Sequence, residues 1–370
     1  MGAVLRKHSI YSGRSRINVG EVKKIAIRVD GGTEIGMGHL MRCLALASRL
    51  KEEAQVTFLT RREDSAIRMI TRYGFPLHLL PTDLSYTAEI PLVRHFLTKG
   101  NYQIIITDSY NLAQDYLLQI REVVNKLVSI HDYVPFAFPS DILINGNIYA
   151  PELAYESLTG QTKFLLGTDY TLLREEFQKL PRRNISERVQ KVLVTMGGSD
   201  LLNLTPKIIR ILTELKKPGI ELKYCDLARL HIDVVIGPAF DNREDVIKEV
   251  ERAPYEVSLH FNYNMMSSLF LECDLAVSAA GSTLYELAVT GTPGLSLLQA
   301  ENQELAAKKM EEAGCNISLG YGDQVVPEEV QEGLVRLIED WPLRIKMSKS
   351  GQALVDGRGV ERCVQNILQG

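Results

Sequence analysis

A histidine follows a glycine-rich turn near the start of the sequence, between a strand-like segment and a helix-like one. The turn lies in RVDGGTEIGMGHLMRC, residues 28–43, and its glycines can adopt positive φ angles and bring backbone close to a ligand. Leucine, cysteine and alanine then recur at helical spacing, so we expect a helix to begin at or near His39. The first N–H groups of a helix have no internal partner and favour negative charge. His39 is therefore predicted to lie where an anion or a polar substrate docks.

Two familiar phosphate-binding motifs match this turn poorly. A P-loop needs Lys followed by Ser or Thr after its last glycine, and here His39 and Leu40 follow. A dinucleotide fingerprint needs Gly or Ala where Met41 stands, and an acidic residue after the second strand. Arg61 and Arg62 occupy that place and suit a 2′-phosphate, so an NADP enzyme stays open as an alternative. The other alternative is purely structural, with glycines that make a tight turn and a histidine that starts a helix.

Two glycine–serine turns in the second half of the chain have the pattern of a diphosphate site. Residues 198–199 follow a strand-like run, and residues 281–283 open a helix that carries Glu286. Backbone N–H groups and hydroxyls at such turns bind phosphate oxygens, and a carboxylate one turn into the helix can accept hydrogen bonds from ribose hydroxyls. Each turn alone is also explained as a helix cap. Because two of them occur at neighbouring strand ends, we favour the phosphate interpretation.

Strands and helices must position these motifs, and strand-like and helix-like segments alternate along the sequence. Apolar runs rich in β-branched residues show little polar alternation, which is typical of strands in a parallel sheet that is covered on both faces. Helical patterns lie between most of these runs. We predict strands at 23–30, 56–60, 76–80, 103–108, 127–132, 141–146 and 163–168 in the first half, and at 191–197, 231–237, 255–261, 274–279, 293–298 and 315–320 in the second.

The fold class predicted from this alternation is α/β, with two doubly wound Rossmann-like domains facing a central cleft. The polar segment at 177–190 is interpreted as the linker between them. Ligands of such sheets bind at the carboxyl ends of the strands, which places the site in the cleft. The predicted division is a leader at 1–22, a first domain at 23–180, a second domain at 190–345 and C-terminal helices at 346–370.

Composition excludes several classes of protein. The chain has 370 residues, 45% hydrophobic and 24% charged, with a formal net charge of −4, so neither nucleic acid nor anionic membrane is expected as a partner. Its five cysteines form no C-x-x-C pair, which argues against a disulfide framework or a zinc site. No run is apolar enough to span a membrane, and no signal-type core is present near the N-terminus. We therefore predict a cytoplasmic protein with a disordered leader.

Further polar side chains occur where predicted strands end. Individually these residues are typical turn formers and caps, but their placement at one end of the sheets predicts that they line the cleft. They are Asp108, Tyr110, His131, Asp132, Asn145, Tyr170, Arg174 and Glu175 in the first half, and Asn262 to Met266 with Glu301, Asn302 and Gln303 in the second.

The ordered series of motifs resembles one enzyme family. DGGTEIGMGHLMRC, TDSY, GTDYTLLREEF, VTMGGSD, NMMSSLFLECDLAVSAAGSTLYELAVTGTP and ENQE look, in this order, like the UDP-2,4-diacetamido-2,4,6-trideoxy-β-L-altropyranose hydrolases of pseudaminic acid biosynthesis. Spore-coat polysaccharide proteins are related to the same family. The resemblance covers roughly residues 24 to 320, and the series is specific where a single motif is not.

The resemblance implies a fold, a reaction and a set of site residues. The fold is GT-B, shared with the lipid II-forming N-acetylglucosaminyltransferases. The reaction is an inverting hydrolysis of a UDP-sugar that releases UDP and the free 2,4-diacetamido sugar, with catalytic residues at His39 and Asn302. Together the motifs predict the following substrate contacts: Gly36, Gly38, Arg42, Asp108, Tyr110, Tyr170, Arg174, Gly198, Ser199, Met265, Gly281, Ser282, Thr283, Glu286 and Gln303.

No metal and no cofactor are predicted. The chain contains no D-x-D sequence, by which metal-dependent glycosyltransferases hold a cation against a diphosphate. His39 can take a proton near neutral pH, and the glycine–serine turns can stabilise the leaving diphosphate. Two alternatives to the hydrolase remain open: an inverting GT-B glycosyltransferase with a UDP-sugar donor, and a catalytically silent sugar-nucleotide-binding protein.

Overall fold

Two parallel α/β sheets, one in each half of the chain, form the framework. A computed structural model describes residues 22–32, 37–217 and 220–369. Residues 1–21 of the predicted leader and Gly36 of the glycine turn therefore lie outside the described residues. The first sheet has seven strands in the order β3-β2-β1-β4-β5-β6-β7, all parallel. Its strands are β1 (Lys23–Val29), β2 (Ala54–Arg61), β3 (Leu77–Leu80), β4 (Ile104–Asp108), β5 (Lys126–Ile130), β6 (Ile142–Asn145) and β7 (Lys163–Leu166).

The second sheet has six parallel strands in the order β10-β9-β8-β11-β12-β13. Its strands are β8 (Lys191–Thr195), β9 (His231–Ile236), β10 (Glu256–Phe261), β11 (Leu275–Ala279), β12 (Gly294–Leu298) and β13 (Ile317–Tyr321). Every predicted strand is confirmed to within a few residues. The buried runs of valine, isoleucine and leucine have helices on both faces, as their lack of alternation requires.

Helices connect most consecutive strands in both halves, and three more follow the last strand. They are α1 (Gly38–Leu50), α2 (Asp64–Arg72), α3 (Tyr86–Gly100), α4 (Gln114–Arg121), α5 (Leu204–Glu214), α6 (Arg243–Arg252), α7 (Met266–Glu272), α8 (Thr283–Thr290), α9 (Glu304–Glu312), α10 (Pro327–Glu339), α11 (Trp341–Leu354) and α12 (Gly359–Leu368). α1 illustrates why they form: its leucines, alanines and cysteine recur on one face, which is buried against β1 and β2.

The chain passes between the two halves twice. The segment after β7 leaves the first half, and Leu173 and Phe177 are buried in a hydrophobic cluster of the second. After α11, which packs on α8, the chain returns and α12 packs against α1. The two passages touch where Gly359 approaches the backbone of Thr171, and a Cβ at this glycine would collide with that backbone. A glycine is therefore required there.

The segment predicted as a linker lies on the surface of the second half rather than free in solvent. The Arg183 guanidinium donates to Thr292 Oγ1 at 2.7 Å and to the carbonyl of Phe270. The Arg344 guanidinium donates to the carbonyl of Glu187 at 2.6 Å. These contacts fix the path of the connection between the sheets.

Candidate functional site

Gly38 and His39 lie where the strand order of the first sheet reverses, between β1 and β4. α1 begins at Gly38 after the turn that follows β1, with His39 in its first turn, and β4 ends at Asp108. Ligands of open parallel sheets bind in the crevice at such a reversal point. Gly38 is exposed, and a Cβ built on it meets nothing within 4 Å, so there is open space beside the backbone here.

A buried carboxylate orients His39. The Nδ1 of His39 lies 2.6 Å from Oδ1 of Asp108, whose side chain has no exposed surface. Burial alone raises the pKa of Asp108, but the charges of Arg42 and His39 outweigh it and hold that pKa well below its usual range. Arg42 Nη2 also lies 3.0 Å from Nδ1, but an ionised carboxylate only accepts hydrogen bonds, so in the neutral imidazole Nδ1 carries the proton and donates it to Asp108 at the shorter distance. Nε2 of His39 is then left with a lone pair that can accept a proton.

Arg42 holds the same carboxylate from the other side. Its Nε and Nη2 donate to the two Asp108 oxygens, each at 2.6 Å, and its Nη1 donates to Asp132 at 2.7 and 2.9 Å. The predicted substrate contacts Arg42 and Asp108 therefore contact each other and His39. Since Asp108 is fully buried, it can act on a ligand only through its partly exposed partners His39 and Arg42.

Tyr110 and Asn147 complete this network, which we call the His39 network: His39, Arg42, Asp108, Tyr110, Asp132 and Asn147. The Tyr110 hydroxyl donates to Asp132, and its ring packs edge-on against the His39 imidazole with centroids 4.6 Å apart. The Asn147 amide donates to Asp132 at 2.8 Å. Burial and the Asp132 charge raise the pKa of Tyr110 far above its usual range, so its hydroxyl stays protonated.

Tyr170 lies beside this network rather than in it. It ends a short 3₁₀ turn, Thr168–Tyr170, after β7. Its half-buried ring packs on the same hydrophobic cluster as Met37 and Met41, which flank His39 along the chain. The Tyr170 carbonyl lies against Gly146, the residue before Asn147, where a Cβ would approach it to 2.7 Å.

The turn after β8 differs from the arrangement expected for a phosphate-binding helix start. Gly198 is exposed and Ser199 half-buried, but α5 begins only at Leu204. The Asp200 carboxylate accepts hydrogen bonds from the Leu204 and Thr205 N–H groups, each at 2.8 Å. A carboxylate already caps this helix, so the turn can offer a ligand only its own backbone and the Ser199 hydroxyl.

The turn after β11 has the expected form. Gly281 and Ser282 lead directly into α8, Ser282 is exposed at the N-cap, and its side chain makes no capping hydrogen bond. β8 and β11 are neighbours at the reversal point of the second sheet. Both glycine–serine turns therefore lie on adjacent strand ends, as the sequence predicts, and α8 presents the open helix N-terminus.

Glu286 and Arg174, both predicted to contact substrate, form an ion pair. Arg174 Nη2 lies 2.9 Å from Glu286 Oε1, and Nη1 lies 2.6 Å from Glu176 Oε1. Burial raises the pKa of Glu286, while the Arg174 charge opposes that rise. The pair ties the passage after β7 to α8 and keeps a carboxylate one turn inside that helix.

The other predicted contacts of the second half lie on exposed turns. Met265 is exposed at the start of α7, and Asn302 is exposed in a short 3₁₀ turn, Glu301–Gln303. Gln303 accepts a hydrogen bond from the Gln299 N–H at 2.9 Å, and its amide approaches Gly281. Within the described residues, no hydrogen bond joins Asn302 to the His39 network.

Two residues of this region were missed by the sequence interpretation. Asn147 follows the end of β6, but only the neighbouring Asn145 was singled out there. Tyr285 lies inside α8 at a position that is buried like its apolar neighbours. The strand end was a usable signal for Asn147, whereas nothing in the local pattern distinguishes Tyr285 from a core residue.

Fold and site together define a two-domain α/β protein of the GT-B type. Acinetobacter baumannii MurG superposes with a TM-score of 0.70 at 15% identity, covering 93% of this chain and 99% of MurG. The complex of S. aureus MnaA with UDP gives a TM-score of 0.60 at 13% identity, covering 93% and 96%. At such identities the likeness shows the fold alone, and the predicted fold class is confirmed.

Several sequence relatives match most of the chain, two of which are described here, and no family model matches it. The spore coat polysaccharide biosynthesis protein SpsG of Bacillus subtilis is 29% identical over 352 residues, covering 93% of this chain and 97% of SpsG. The UDP-2,4-diacetamido-2,4,6-trideoxy-β-L-altropyranose hydrolase of Campylobacter jejuni is 24% identical over 300 residues, covering 80% of this chain and 100% of the hydrolase. The predicted resemblance is confirmed: the homologues of this chain include that hydrolase and SpsG.

Two further observations concern membranes and metals. No helix among the described residues is long and apolar enough to cross a bilayer. In the same part of the chain, no group of three or more His, Cys, Asp and Glu side chains is placed to hold a metal ion.

Proposed function

We propose that this protein hydrolyses a UDP-linked 2,4-diacetamido-2,4,6-trideoxyhexose at its anomeric carbon, with inversion, and releases UDP and the free sugar for nonulosonic acid or surface polysaccharide synthesis. The observation that carries the proposal is the His39–Asp108 pair, 2.6 Å apart at the reversal point of the first sheet. The hydrolase homologue supports the substrate class.

In the proposed reaction, Nε2 of His39 takes a proton from a water molecule whose oxygen attacks the anomeric carbon. The bond from that carbon to the β-phosphate oxygen breaks, and its electron pair leaves with UDP. General-base assistance of this kind contributes about 10²–10⁴ in rate. Asp108 keeps the imidazole in the required tautomer and stabilises the imidazolium that forms, as an ionised partner of a catalytic histidine does.

We assign the UDP portion to the second half. The open N-terminus of α8, at Gly281, Ser282 and Thr283, would bind the diphosphate, with Gly198 and Ser199 beside it. A preorganised donor to developing charge is worth on the order of 10²–10³ in rate. Glu286 would accept hydrogen bonds from the ribose. Asn302, Gln303 and Met265 would line the same side of the cleft, with Asn302 assisting at the reacting carbon. Gly38, Tyr110 and Tyr170 would line the sugar side.

The test is an assay with a panel of UDP-sugars, with and without EDTA, in which NMR identifies the products. We expect release of free sugar from 2,4-diacetamido substrates, with full activity in EDTA. Turnover in H₂¹⁸O should place the label in the sugar, because attack is at carbon. Label in UDP, or no release from any UDP-sugar, would refute the proposal.

The second candidate is an inverting glycosyltransferase, since the solved structures with this fold include the calicheamicin glycosyltransferase CalG4. The same His39 would then deprotonate a sugar or lipid hydroxyl. If adding acceptor alcohols diverts the product from free sugar to glycoside at low concentration, the transferase is the correct assignment. A silent binding protein would show UDP affinity without release of sugar.

A further inference from the structure

A tyrosine of the second half reaches across to the His39 network. Tyr285 lies in α8, and only 4% of its surface is exposed. Its hydroxyl donates to Oδ1 of Asn147 at 3.0 Å and accepts from the backbone N–H of Ile148 at 3.1 Å. Both hydrogen bonds of the Tyr285 hydroxyl, one donated and one accepted, therefore go to the same loop of the first half, the one after β6.

Each link from this loop to His39 is a direct hydrogen bond. Asn147 bridges Tyr285 and Asp132, and its amide nitrogen donates to Asp132 at 2.8 Å. Asp132 accepts from Arg42 at 2.7 Å, and Arg42 donates to Asp108 at 2.6 Å, which in turn accepts from His39 at 2.6 Å.

The orientation of Asn147 is fixed by its partners. The second hydrogen of its amide nitrogen goes to Asn145 Oδ1 at 2.8 Å, and the Asn145 amide donates to Tyr155 at 2.7 Å. With both hydrogens directed at oxygen acceptors, the Asn147 carbonyl oxygen must face the tyrosine hydroxyl. A flipped amide would place a donor against that hydroxyl and an acceptor against the Asp132 carboxylate. Each hydrogen bond of Asn147 therefore has a defined donor and a defined acceptor.

We propose that Tyr285 and Asn147 are positioning residues that couple the nucleotide site to His39. The inference rests on the proposed function. Thr283, at the open start of α8, is two residues from Tyr285 on the same short helix. A diphosphate seated at that start fixes α8, which presses the tyrosine hydroxyl onto Asn147 and stiffens the network that holds the imidazole. Nucleotide binding should therefore help to hold His39 in the orientation that these hydrogen bonds define.

Two ion pairs between the halves do not lead to His39. Lys309 pairs with Glu152 at 2.8 Å at the surface, and Arg174 pairs with Glu286. Neither pair shares an atom or a hydrogen bond with the His39 network among the described residues. They hold the halves together, so they offer a comparison for the effect of losing an interdomain contact.

The test is Tyr285→Phe, which removes the hydroxyl and keeps the ring. We expect kcat to fall on the order of tenfold, because one buried hydrogen bond corresponds to about that factor. KM and the Kd for UDP should change by less than about twofold. Asn147→Ser should act in the same direction. Tyr255→Phe removes a buried hydroxyl bonded to the Leu212 carbonyl in the second half, and should leave kcat unchanged.

Lys309→Gln is the control for a lost interdomain contact and should also leave kcat unchanged. The proposal is overturned if Tyr285→Phe keeps full kcat, if it raises KM and the UDP Kd as strongly as it lowers kcat, or if either control variant loses kcat equally.

A second readout does not depend on turnover. In protein with ¹⁵N-labelled histidine, the His39 Nδ1–H signal is assigned by its absence in His39→Gln. UDP should shift or sharpen this signal in the wild type and leave it unchanged in Tyr285→Phe. An equal response in both proteins would refute the coupling. If no UDP-sugar is hydrolysed but this difference is seen, the proposed reaction fails and the coupling stands.

Discussion

At the scale of single residues, Asp108 decides which nitrogen of His39 is free to react. A fully buried carboxylate that stays ionised fixes the imidazole proton on Nδ1. The positive charge of Arg42 offsets the free-energy cost of burying the Asp108 carboxylate, since an isolated buried charge is strongly unfavourable. The three side chains act as a unit, so a change at one of them changes the others.

Replacing His39 tests the base directly. His39→Gln should lower turnover of the UDP-sugar by about 10²–10⁴, the usual contribution of a general base. The Kd for UDP should stay close to that of the wild type, because we assign the nucleotide to the other sheet. Calorimetry with UDP beside single-turnover assays separates the two effects. A variant with near-full turnover would show that the histidine is only structural.

Replacing Asp108 tests the orientation of His39. Asp108→Asn keeps the shape of the side chain but leaves the Arg42 charge partly unpaired and the imidazole without its charged acceptor. We expect turnover to fall on the order of 10²–10⁴, and the free energy of unfolding to fall by roughly 3–5 kcal/mol, as for a broken buried ion pair. Urea unfolding and kcat measure the two losses. A stable variant that loses only activity would contradict the structural half of this prediction.

At the scale of elements, α8 brings three functions together within eight residues. Its start is open for an anion, Tyr285 reaches Asn147, and Glu286 pairs with Arg174. α5 begins at the neighbouring strand end, but Asp200 already occupies its first N–H groups. The two helices follow similar glycine–serine sequences, but α8 begins directly after Ser282, whereas α5 begins only at Leu204 and is capped by Asp200.

The open start of α8 can be tested by placing a carboxylate there. Ser282→Asp should keep or raise thermal stability, since an acidic N-cap favours a helix by about 0.3–1 kcal/mol. It should weaken UDP binding at least tenfold, because the new charge repels a diphosphate. The wild type should gain roughly 2.7 kcal/mol at a UDP concentration of one hundred times Kd. The readout is the thermal shift with UDP.

A matched control for this variant is Ser85→Asp, at the exposed N-cap of α3 in the first half. Its UDP response should equal that of the wild type. If NADP shifts the melting temperature of the wild type and UDP does not, the NADP-enzyme alternative replaces the UDP assignment.

The elements could be predicted from the sequence better than the contacts between them. Parallel strands are recognisable in a sequence as apolar runs of characteristic length. Polar residues that bind ligands follow the carboxyl ends of such strands, so the sequence was sufficient to predict His39 and the turn at Gly281 as parts of the site. Tyr285 and Asn147 are 138 residues apart. Their contact depends on how the two sheets dock, and no local pattern encodes that. The carboxylate cap at Asp200 likewise depends on where α5 begins.

At the scale of the whole molecule, stability is set partly by polar groups that lie buried beside the site. His131 follows β5 with 3% of its surface exposed, and its Nε2 has no partner among the described residues. Its Nδ1 bonds to the Tyr133 carbonyl at 2.9 Å, and the rings of Tyr110 and Phe138 pack around it. Burial lowers the pKa of His131, against the opposing charges of Asp132 and Asp108.

This buried imidazole predicts how the free energy of unfolding depends on pH. An unfolded histidine titrates near a pKa of about 6.5. As the pH falls below that value, the unfolded chain takes up a proton that the folded His131, with its lowered pKa, does not. The unfolded state then binds more protons than the folded state. The free energy of unfolding therefore decreases as the pH decreases, until the pH reaches the pKa of His131 in the folded chain. Above the window the contribution of His131 to this slope disappears.

The variant His131→Phe should remove that slope, since phenylalanine fits an aromatic cluster and does not titrate. Urea unfolding of both proteins between about pH 5 and 8 measures the difference, which cancels the titration of all other groups. We expect the stability of the variant relative to the wild type to rise as the pH falls below the histidine range. His95→Phe, at an exposed histidine of α3, should show no such trend. A pH-independent difference between wild type and His131→Phe would mean that this imidazole titrates alike in the folded and unfolded chains, which its burial and unpaired Nε2 contradict.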